Sequence, residues 1–164
     1  MDFEQLSEII FSELISKLKS NDGLSIMARE RAKFEGWLKV ELCEILSHHF
    51  YYNEIIPEKG WIDISIKDWL IELKTVNTNY RFDGVVLKHR PITKNIKEVI
   101  SDIENLRKLE YPNKMVIFIS FPCEHSNYKW QILLKRISND ITKLNHREFK
   151  FKNGLNGIVY IGLV

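Results

Sequence analysis

Two acidic residues and a lysine are spaced so that a β-hairpin would bring their side chains together. Asp63 lies in the β-type run 61–66, and Glu72 and Lys74 lie in the run 69–76. The two residues between these runs have the length of a tight hairpin turn, which places Asp63 directly opposite Glu72. The Cβ atoms of directly opposed residues are about 5 Å apart. Two such carboxylates beside an ammonium group could hold a hard divalent cation.

Opposed carboxylates need a compensating charge. At about 5 Å and an effective dielectric constant near 20, the repulsion is about 3 kcal/mol. A shared proton, a neighbouring cation such as Lys74, or a bound divalent metal ion would offset it. Hard oxygen ligands favour Mg²⁺ or Mn²⁺. A water on such an ion could attack a phosphodiester, with Lys74 positioning or deprotonating the water or stabilising the developing negative charge.

The alternative interpretation is a solvated strand face. Glu-x-Lys sequences are common, and the chain contains a second one at Glu148 and Lys150, opposite which no Asp is predicted. The register around Asp63, in contrast, is fixed by an apolar strand face. This predicted core face consists of Ile62, Ile64, Ile66, Trp69, Ile71 and Leu73. The opposite face consists of Trp61, Asp63, Ser65, Leu70, Glu72 and Lys74.

The hydrophobic pattern predicts the elements that must position these residues. We expect helices over 3–18, 25–49, 93–109 and 127–145, and strands over 51–56, 61–66, 69–76, 115–121 and 157–164. A central hairpin followed by a β-α-β crossover implies a mixed sheet flanked by helices. The predicted fold class is therefore α/β, with an α+β-like mixed sheet.

Composition limits the function classes. The chain has 164 residues, of which 45% are hydrophobic and 28% charged, as expected for one packed domain. The apolar runs are too short for a membrane span, and the acidic N-terminus is unlike a signal peptide. Cys43 and Cys123 form neither a disulfide framework nor a zinc motif. We expect a cytoplasmic protein without a membrane partner.

The residues around the hairpin resemble those of a known family. Asp63, followed by Glu72-Leu73-Lys74 after a short turn, resembles the signature of the PD-(D/E)xK nuclease superfamily, which has the restriction-endonuclease-like fold. The residue before the aspartate is Ile62, where the family pattern has proline. The resemblance covers about residues 28–121 and implies an α-β-β-β-α-β core. Residues 1–24 would then be an N-terminal helical extension, and a helix and a strand would follow the core.

The resemblance also implies roles for single residues. Many members carry a glutamate on the helix before the sheet, and Glu35 is placed like it, although exposed glutamates are common on long helices. The family implies a Mg²⁺-dependent (or Mn²⁺-dependent) phosphodiesterase that acts on DNA, less often on RNA. Asp63, Glu72 and Glu35 would be the metal ligands, and Lys74 the catalytic lysine.

Basic residues are distributed unevenly and predict contacts with phosphates. Residues 1–60 carry 7 Lys and Arg against 11 Asp and Glu, whereas residues 126–164 carry 7 against 2. We expect the basic stretch after the hairpin to contact a nucleic-acid backbone; it contains Arg81, Lys88, Arg90, Lys94 and Lys97. A second basic group would add non-specific affinity, unless it is a solvated face. It contains Lys129, Lys135, Arg136, Lys143, Arg147, Lys150 and Lys152.

These observations lead to one main hypothesis and several alternatives. The main hypothesis is a homodimeric, metal-dependent DNA endonuclease with the N-terminal helix as a dimer contact. One alternative is a catalytically inactive nucleic-acid-binding module on the same scaffold, and another is a junction resolvase or RNA nuclease. A third is an interaction protein in which Asp63, Glu72 and Lys74 form only a charged network.

Overall fold

Helices and strands alternate along the chain in a computed structural model that describes residues 1–86 and 92–164. The helices are α1 (Phe3–Ser20), α2 (Asp22–Arg29), α3 (Glu35–Ser47), α4 (Ile92–Arg107) and α5 (Tyr128–Ser138). The strands are β1 (Ile55–Lys59), β2 (Ile62–Ile66), β3 (Trp69–Asn77), β4 (Asn113–Phe121), β5 (Lys143–Lys150) and β6 (Asn156–Leu163). A short 3₁₀ helix, Tyr52–Glu54, precedes β1.

The strands form one six-stranded mixed sheet in the order β1-β2-β3-β4-β6-β5. β3 and β4 are parallel, and the other neighbouring pairs are antiparallel. Parallel neighbours need a long crossover, which α4 supplies between β3 and β4. Helices cover both faces of the sheet, so β4 in its centre reads as a continuous apolar run. The predicted α/β class and mixed sheet are confirmed.

The hairpin register is the predicted one. Ile66 pairs with Trp69 and Ile64 pairs with Ile71, so the turn has two residues. The predicted apolar face is wrong for Ile62, which packs with residues on the α4 side of the sheet instead of with Ile64. The β1–β2 ladder is distorted at this point, because Glu58 has a φ of 53° and lies between the strand pairs that flank it.

Helix α1 belongs to the main core. The carboxylate of Asp2 accepts the N–H of Gln5 at 2.9 Å and the Gln5 side chain accepts the N–H of Asp2, so a capping box begins the helix. Most apolar side chains of α1 are buried between α3, β5 and β6, while Ile9 and Ile15 are partly buried against the same core. The apolar face of α1 is thus packed mainly within the chain.

The single helix predicted over 25–49 is wrong, because two helices with a break between them occupy this region. Arg31 in the break has a φ of 53° and is only 1% exposed. Its guanidinium donates to the carbonyls of Thr78, Tyr80 and Val86, in the segment that follows β3. Burial lowers the pKa of Arg31 below its ordinary value. The break makes Glu35 the first residue of α3, beside β3.

The C-terminal part of the sheet also differs from the prediction. The helix predicted over 127–145 ends at Ser138. The end of the predicted range belongs instead to the edge strand β5, which begins at Lys143. Cations of β5 pair with acids of helix α1: Lys143 pairs with Glu4, and Arg147 pairs with Glu8 at 2.6 Å. The charge asymmetry along the sequence is therefore partly neutralised in space.

The remaining predicted boundaries differ by a few residues. The strand predicted over 51–56 begins instead at Ile55, after the 3₁₀ helix. Within the described ranges, none of the helices combines the length and the apolar character needed to cross a membrane.

Candidate functional site

The candidate site lies on the open edge of β3, beyond its pairing with β2. The pairing reaches Ile64 and Ile71, while β3 continues to Asn77. Along this edge the N–H of Leu73 donates to Asp63 Oδ2 at 2.9 Å. The N–H of Thr75 likewise donates to Glu35 Oε1 at 2.9 Å. Two carboxylates from different elements are thus fixed on alternate N–H groups of one strand, which are about 7 Å apart.

Glu72 is the most perturbed acid of the site. Glu72 is 6% exposed, and its Oε2 atom is buried without a hydrogen-bond partner among the residues that the structure describes. Burial, followed by the negative charges of Asp63 and Asp102, raises the pKa of Glu72 to about 8. The charge of Lys74 and a backbone hydrogen bond from Asp63 act in the opposite direction. In the absence of an added cation, Glu72 therefore holds a proton at neutral pH.

Lys74 is held by an aspartate of α4. Its Nζ atom lies 2.9 Å from Asp102 Oδ2, and both side chains are about one-fifth exposed. Burial alone would lower the pKa of Lys74, but the hydrogen bond and charge of Asp102, with the charges of Glu35 and Glu72, raise it above its ordinary value. Lys74 is therefore a fixed ammonium group at the site.

Two further lysines neutralise the other acids. Lys39 Nζ of α3 lies 2.7 Å from Asp63 Oδ1, and this hydrogen bond raises the pKa of Lys39 against the opposing effect of burial. Lys33 Nζ lies 3.0 Å from Glu98 of α4 and 3.9 Å from Glu35. The pair of Lys33 and Glu98 links the segment between α2 and α3 to α4.

The donor set fits a divalent cation only in part. Within residues 1–86 and 92–164, no three His, Cys, Asp or Glu side chains are gathered so that they could hold a metal ion together. Mg²⁺ usually takes one or two protein carboxylates and completes its shell with water and phosphate. Asp63 and Glu72 supply two interacting carboxylates, and the unpartnered oxygen of Glu72 is a free ligand atom. These residues therefore suit a two-carboxylate site. Glu35 is engaged elsewhere, because its Oε1 atom accepts hydrogen bonds from the N–H and the hydroxyl of Thr75.

The predicted phosphate-contacting residues lie on two elements near the site. Arg81 is exposed after β3, and Lys94 and Lys97 are exposed on α4. Lys88 and Arg90 lie outside the described residues. Lys94 precedes Glu98 and Asp102 by one and two helical turns, so it shares their stripe of α4. Lys94 thus lies on the face of α4 that is turned toward the site.

Sequence reasoning missed Asp102, Lys39 and Lys33. The signal for Asp102 was its position four residues after Glu98 on a predicted helix, next to the apolar stripe. Nothing in the sequence indicated that Lys39 would reach Asp63, because this contact depends on how α3 packs over the hairpin.

Comparison of this chain with protein-family models, curated proteins and solved structures finds no match.

Proposed function

We propose that this protein is a divalent-metal-dependent nuclease that hydrolyses phosphodiester bonds in DNA. The observation that carries the proposal is the buried carboxylate oxygen of Glu72, which has no hydrogen-bond partner within residues 1–86 and 92–164 and lies beside the charges of Asp63 and Lys74 at an open strand edge. A buried acid with a pKa near neutrality, next to a second acid and a fixed ammonium group, is typical of catalytic sites.

The residues of the chain have distinct roles in this proposal. Asp63 and Glu72 would hold Mg²⁺ or Mn²⁺, and Glu35 would assist them. When bound, such an ion would supply a water of lowered pKa and would polarise the phosphoryl group. Lys74, held by Asp102, donates hydrogen bonds to the phosphate and stabilises its developing negative charge. Lys39, which pairs with Asp63, would have to release this carboxylate for the cation.

The order of elements supports the proposal. From α3 to β4 the chain runs α-β-β-β-α-β, the order that the resemblance to PD-(D/E)xK nucleases implies. Glu35 begins the helix before the sheet, and Asp63, Glu72 and Lys74 lie on the second and third strands. The restriction-endonuclease-like core is thus part of the proposal, together with a cytoplasmic homodimer.

The test is cleavage of a supercoiled plasmid in the presence of Mg²⁺. We expect Asp63→Ala and Lys74→Ala each to lower the rate by about a hundred-fold or more, because each removes a metal ligand or a stabilising charge. Glu148→Ala, in the second Glu-x-Lys sequence, is the matched control and keeps the activity of the parent protein. An equal loss in the Glu148 variant would contradict the assignment of the site.

A second candidate function is a nucleic-acid-binding module that lacks catalysis. The observation that favours it is the neutralisation of the acids by lysines, with Asp63 paired to Lys39 and Lys74 paired to Asp102. This module would bind DNA in a salt-dependent manner and cleave neither DNA nor RNA in Mg²⁺ or Mn²⁺. A junction or an RNA strand as the preferred substrate would leave the metal site unchanged and alter only the nucleic acid that is cut.

A further inference from the structure

A groove lies beyond the carboxyl ends of the parallel strands β3 and β4. The N–H of Thr78, directly after β3, donates to the carbonyl of Phe121 at 2.8 Å, so the two strand ends stay together. The groove has a volume of about 1030 Å³ and is lined by the segment after β3 and by the first turns of α5. This volume is at the upper end of the range for ligand pockets, roughly 300–1,000 Å³.

The lining combines exposed aromatic surface with cations. Tyr128 at the start of α5 is 78% exposed, and Phe82 on the opposite wall is half-buried. Arg81 and Lys129 lie in the same lining, and both side chains are exposed. Aromatic side chains interleaved with Arg and Lys form the usual surface on which unpaired nucleotides stack.

The wall of the groove is held in place from below. Arg31 Nη2 donates to the carbonyl of Tyr80 at 2.5 Å, and its other nitrogens bind the carbonyls of Thr78 and Val86. The acid in the lining, Glu124, has its Oε1 atom bound to the side chain of Asn156 at 2.7 Å. A preorganised wall lowers the ordering cost of binding.

The groove is connected to the candidate site by β3 itself. Tyr80 follows Lys74 by six residues, which span at most about 20 Å in an extended chain. The groove therefore lies within reach of a nucleic-acid strand that is bound beside Lys74.

We propose that this groove binds unpaired nucleotides of a single strand, with a base stacked on Tyr128 and phosphates contacting Arg81 and Lys129. The inference rests on the proposed function and deepens it, because it specifies a substrate that has a single-stranded part. A fully paired duplex cannot present an unstacked base to Tyr128, so it binds the groove more weakly.

The first test is fluorescence anisotropy with a short labelled oligothymidylate in EDTA, so that binding is measured without cleavage. We expect Tyr128→Ala to weaken binding by about ten-fold, as is typical for loss of one stacking platform. Tyr128→Phe keeps the aromatic face and binds like the parent protein. Tyr52→Ala is the matched control, because Tyr52 is 83% exposed in the 3₁₀ helix before β1 and is not part of the groove lining.

The second test measures how the same binding depends on salt. Each lost phosphate contact to a single strand lowers the slope of log K against log salt by about 0.7. We expect this change in Arg81→Ala and Lys129→Ala. Lys135→Ala is the control, because this exposed lysine of α5 is not part of the groove lining. All variants alter exposed side chains, and circular dichroism checks that they are folded.

The outcomes separate this inference from the proposed nuclease activity. If the parent protein does not bind the oligothymidylate, or if Tyr128→Ala binds it as tightly as Tyr52→Ala does, the inference is wrong. Mg²⁺-dependent plasmid cleavage that needs Asp63 would then still support the nuclease. If binding depends on Tyr128 while no cleavage occurs, the groove is supported and the nuclease is rejected.

Discussion

The chain contains the same Glu-x-Lys sequence twice, in two very different environments. Glu72 and Lys74 lie on the central strand β3, where Glu72 is buried and Lys74 is held by α4. Glu148 and Lys150 lie on the edge strand β5, and both are exposed. The residue types and their spacing are identical, so the difference lies entirely in what surrounds them.

The surroundings differ in whether they stabilise the carboxylate of each glutamate. Glu148 Oε1 accepts the backbone N–H of His125 at 2.6 Å, and water reaches the exposed side chain. Glu72 has a buried oxygen without a partner and two further acids nearby, which together with burial raise its pKa to about 8. The carboxylate of Glu148 is stabilised by this hydrogen bond and by water. The carboxylate of Glu72 is instead stabilised when it takes up a proton or a cation.

The largest effect that we expect from this difference is on the pH dependence of stability. The folded state keeps the Glu72 proton up to about pH 8, whereas the unfolded chain releases it near the ordinary value of 4.5. The free energy of unfolding therefore falls as the pH rises through this window, by at most about 5 kcal/mol. Glu72→Gln removes this fall and is more stable than the parent protein at about pH 8.

Urea unfolding at several pH values between 4.5 and about 8 measures this effect. Glu148→Gln is the matched control, and we expect its pH profile to follow that of the parent protein. Parallel profiles for Glu72→Gln and the parent protein would show that Glu72 does not carry a raised pKa.

The next largest effect is stabilisation of the fold by Mg²⁺, which we expect to depend on Glu72 and not on Glu148. Above about pH 8, where Glu72 loses its proton, Mg²⁺ at a hundred times its dissociation constant should stabilise the folded protein by about 2.7 kcal/mol. The effect should weaken as the pH falls, because the cation and the proton compete for the same carboxylate. Thermal unfolding at constant ionic strength measures the shift in Tm.

Variants on both strands identify the carboxylates that bind the ion. Asp63→Asn should lose most of the stabilisation by Mg²⁺, and Glu148→Gln should keep it. The same shift in Tm for all three proteins would mean that Mg²⁺ acts elsewhere on the surface.

The smallest effect that we expect comes from removing the ion pair between Lys74 and Asp102 of α4. Lys150, in the second Glu-x-Lys sequence, is exposed. Asp102→Asn removes the charge that raises the pKa of Lys74, so the pKa of this ammonium group falls. We expect the cleavage rate to fall by about ten-fold and the basic limb of its pH profile to shift to lower pH. Asp102→Glu should restore part of the activity.

The control for this prediction lies on the same helix. Glu104 is exposed on α4, two residues after Asp102, and Glu104→Gln should leave both the rate and the pH profile unchanged. A fall in rate for Asp102→Asn without a shift of the pH profile would point to a structural role for Asp102.

Local patterns were sufficient for the central hairpin and for most elements. The two apolar runs and the two residues between them predicted the pairing of Ile66 with Trp69, because a one-residue slip would turn the apolar side chains of a strand to the wrong face. The same pattern could not predict the reversed side chain of Ile62, since that depends on the distorted pairing with β1 around Glu58.

Breaks and endings that depend on distant partners were not predictable. Helical periodicity continues through Arg31, but this residue leaves the helix because its side chain binds carbonyls some fifty residues later in the chain. The local pattern predicts helix for residues 143–145, although they begin β5. Their strand pairing could not be predicted locally, because it is supplied by β6, which follows later in the chain.

The sequence by itself determined that Asp63 and Glu72 come to neighbouring positions of a hairpin, because turn length and side-chain alternation are local properties. Only the tertiary structure decided which Glu-x-Lys is buried and which lysines and aspartates surround it. Burial depends on the place of a strand in the sheet, and the contacts of Lys39 and Asp102 depend on two helices that pack from opposite sides. The electrostatics of Glu72 is therefore a property of the packed molecule and not of its motif.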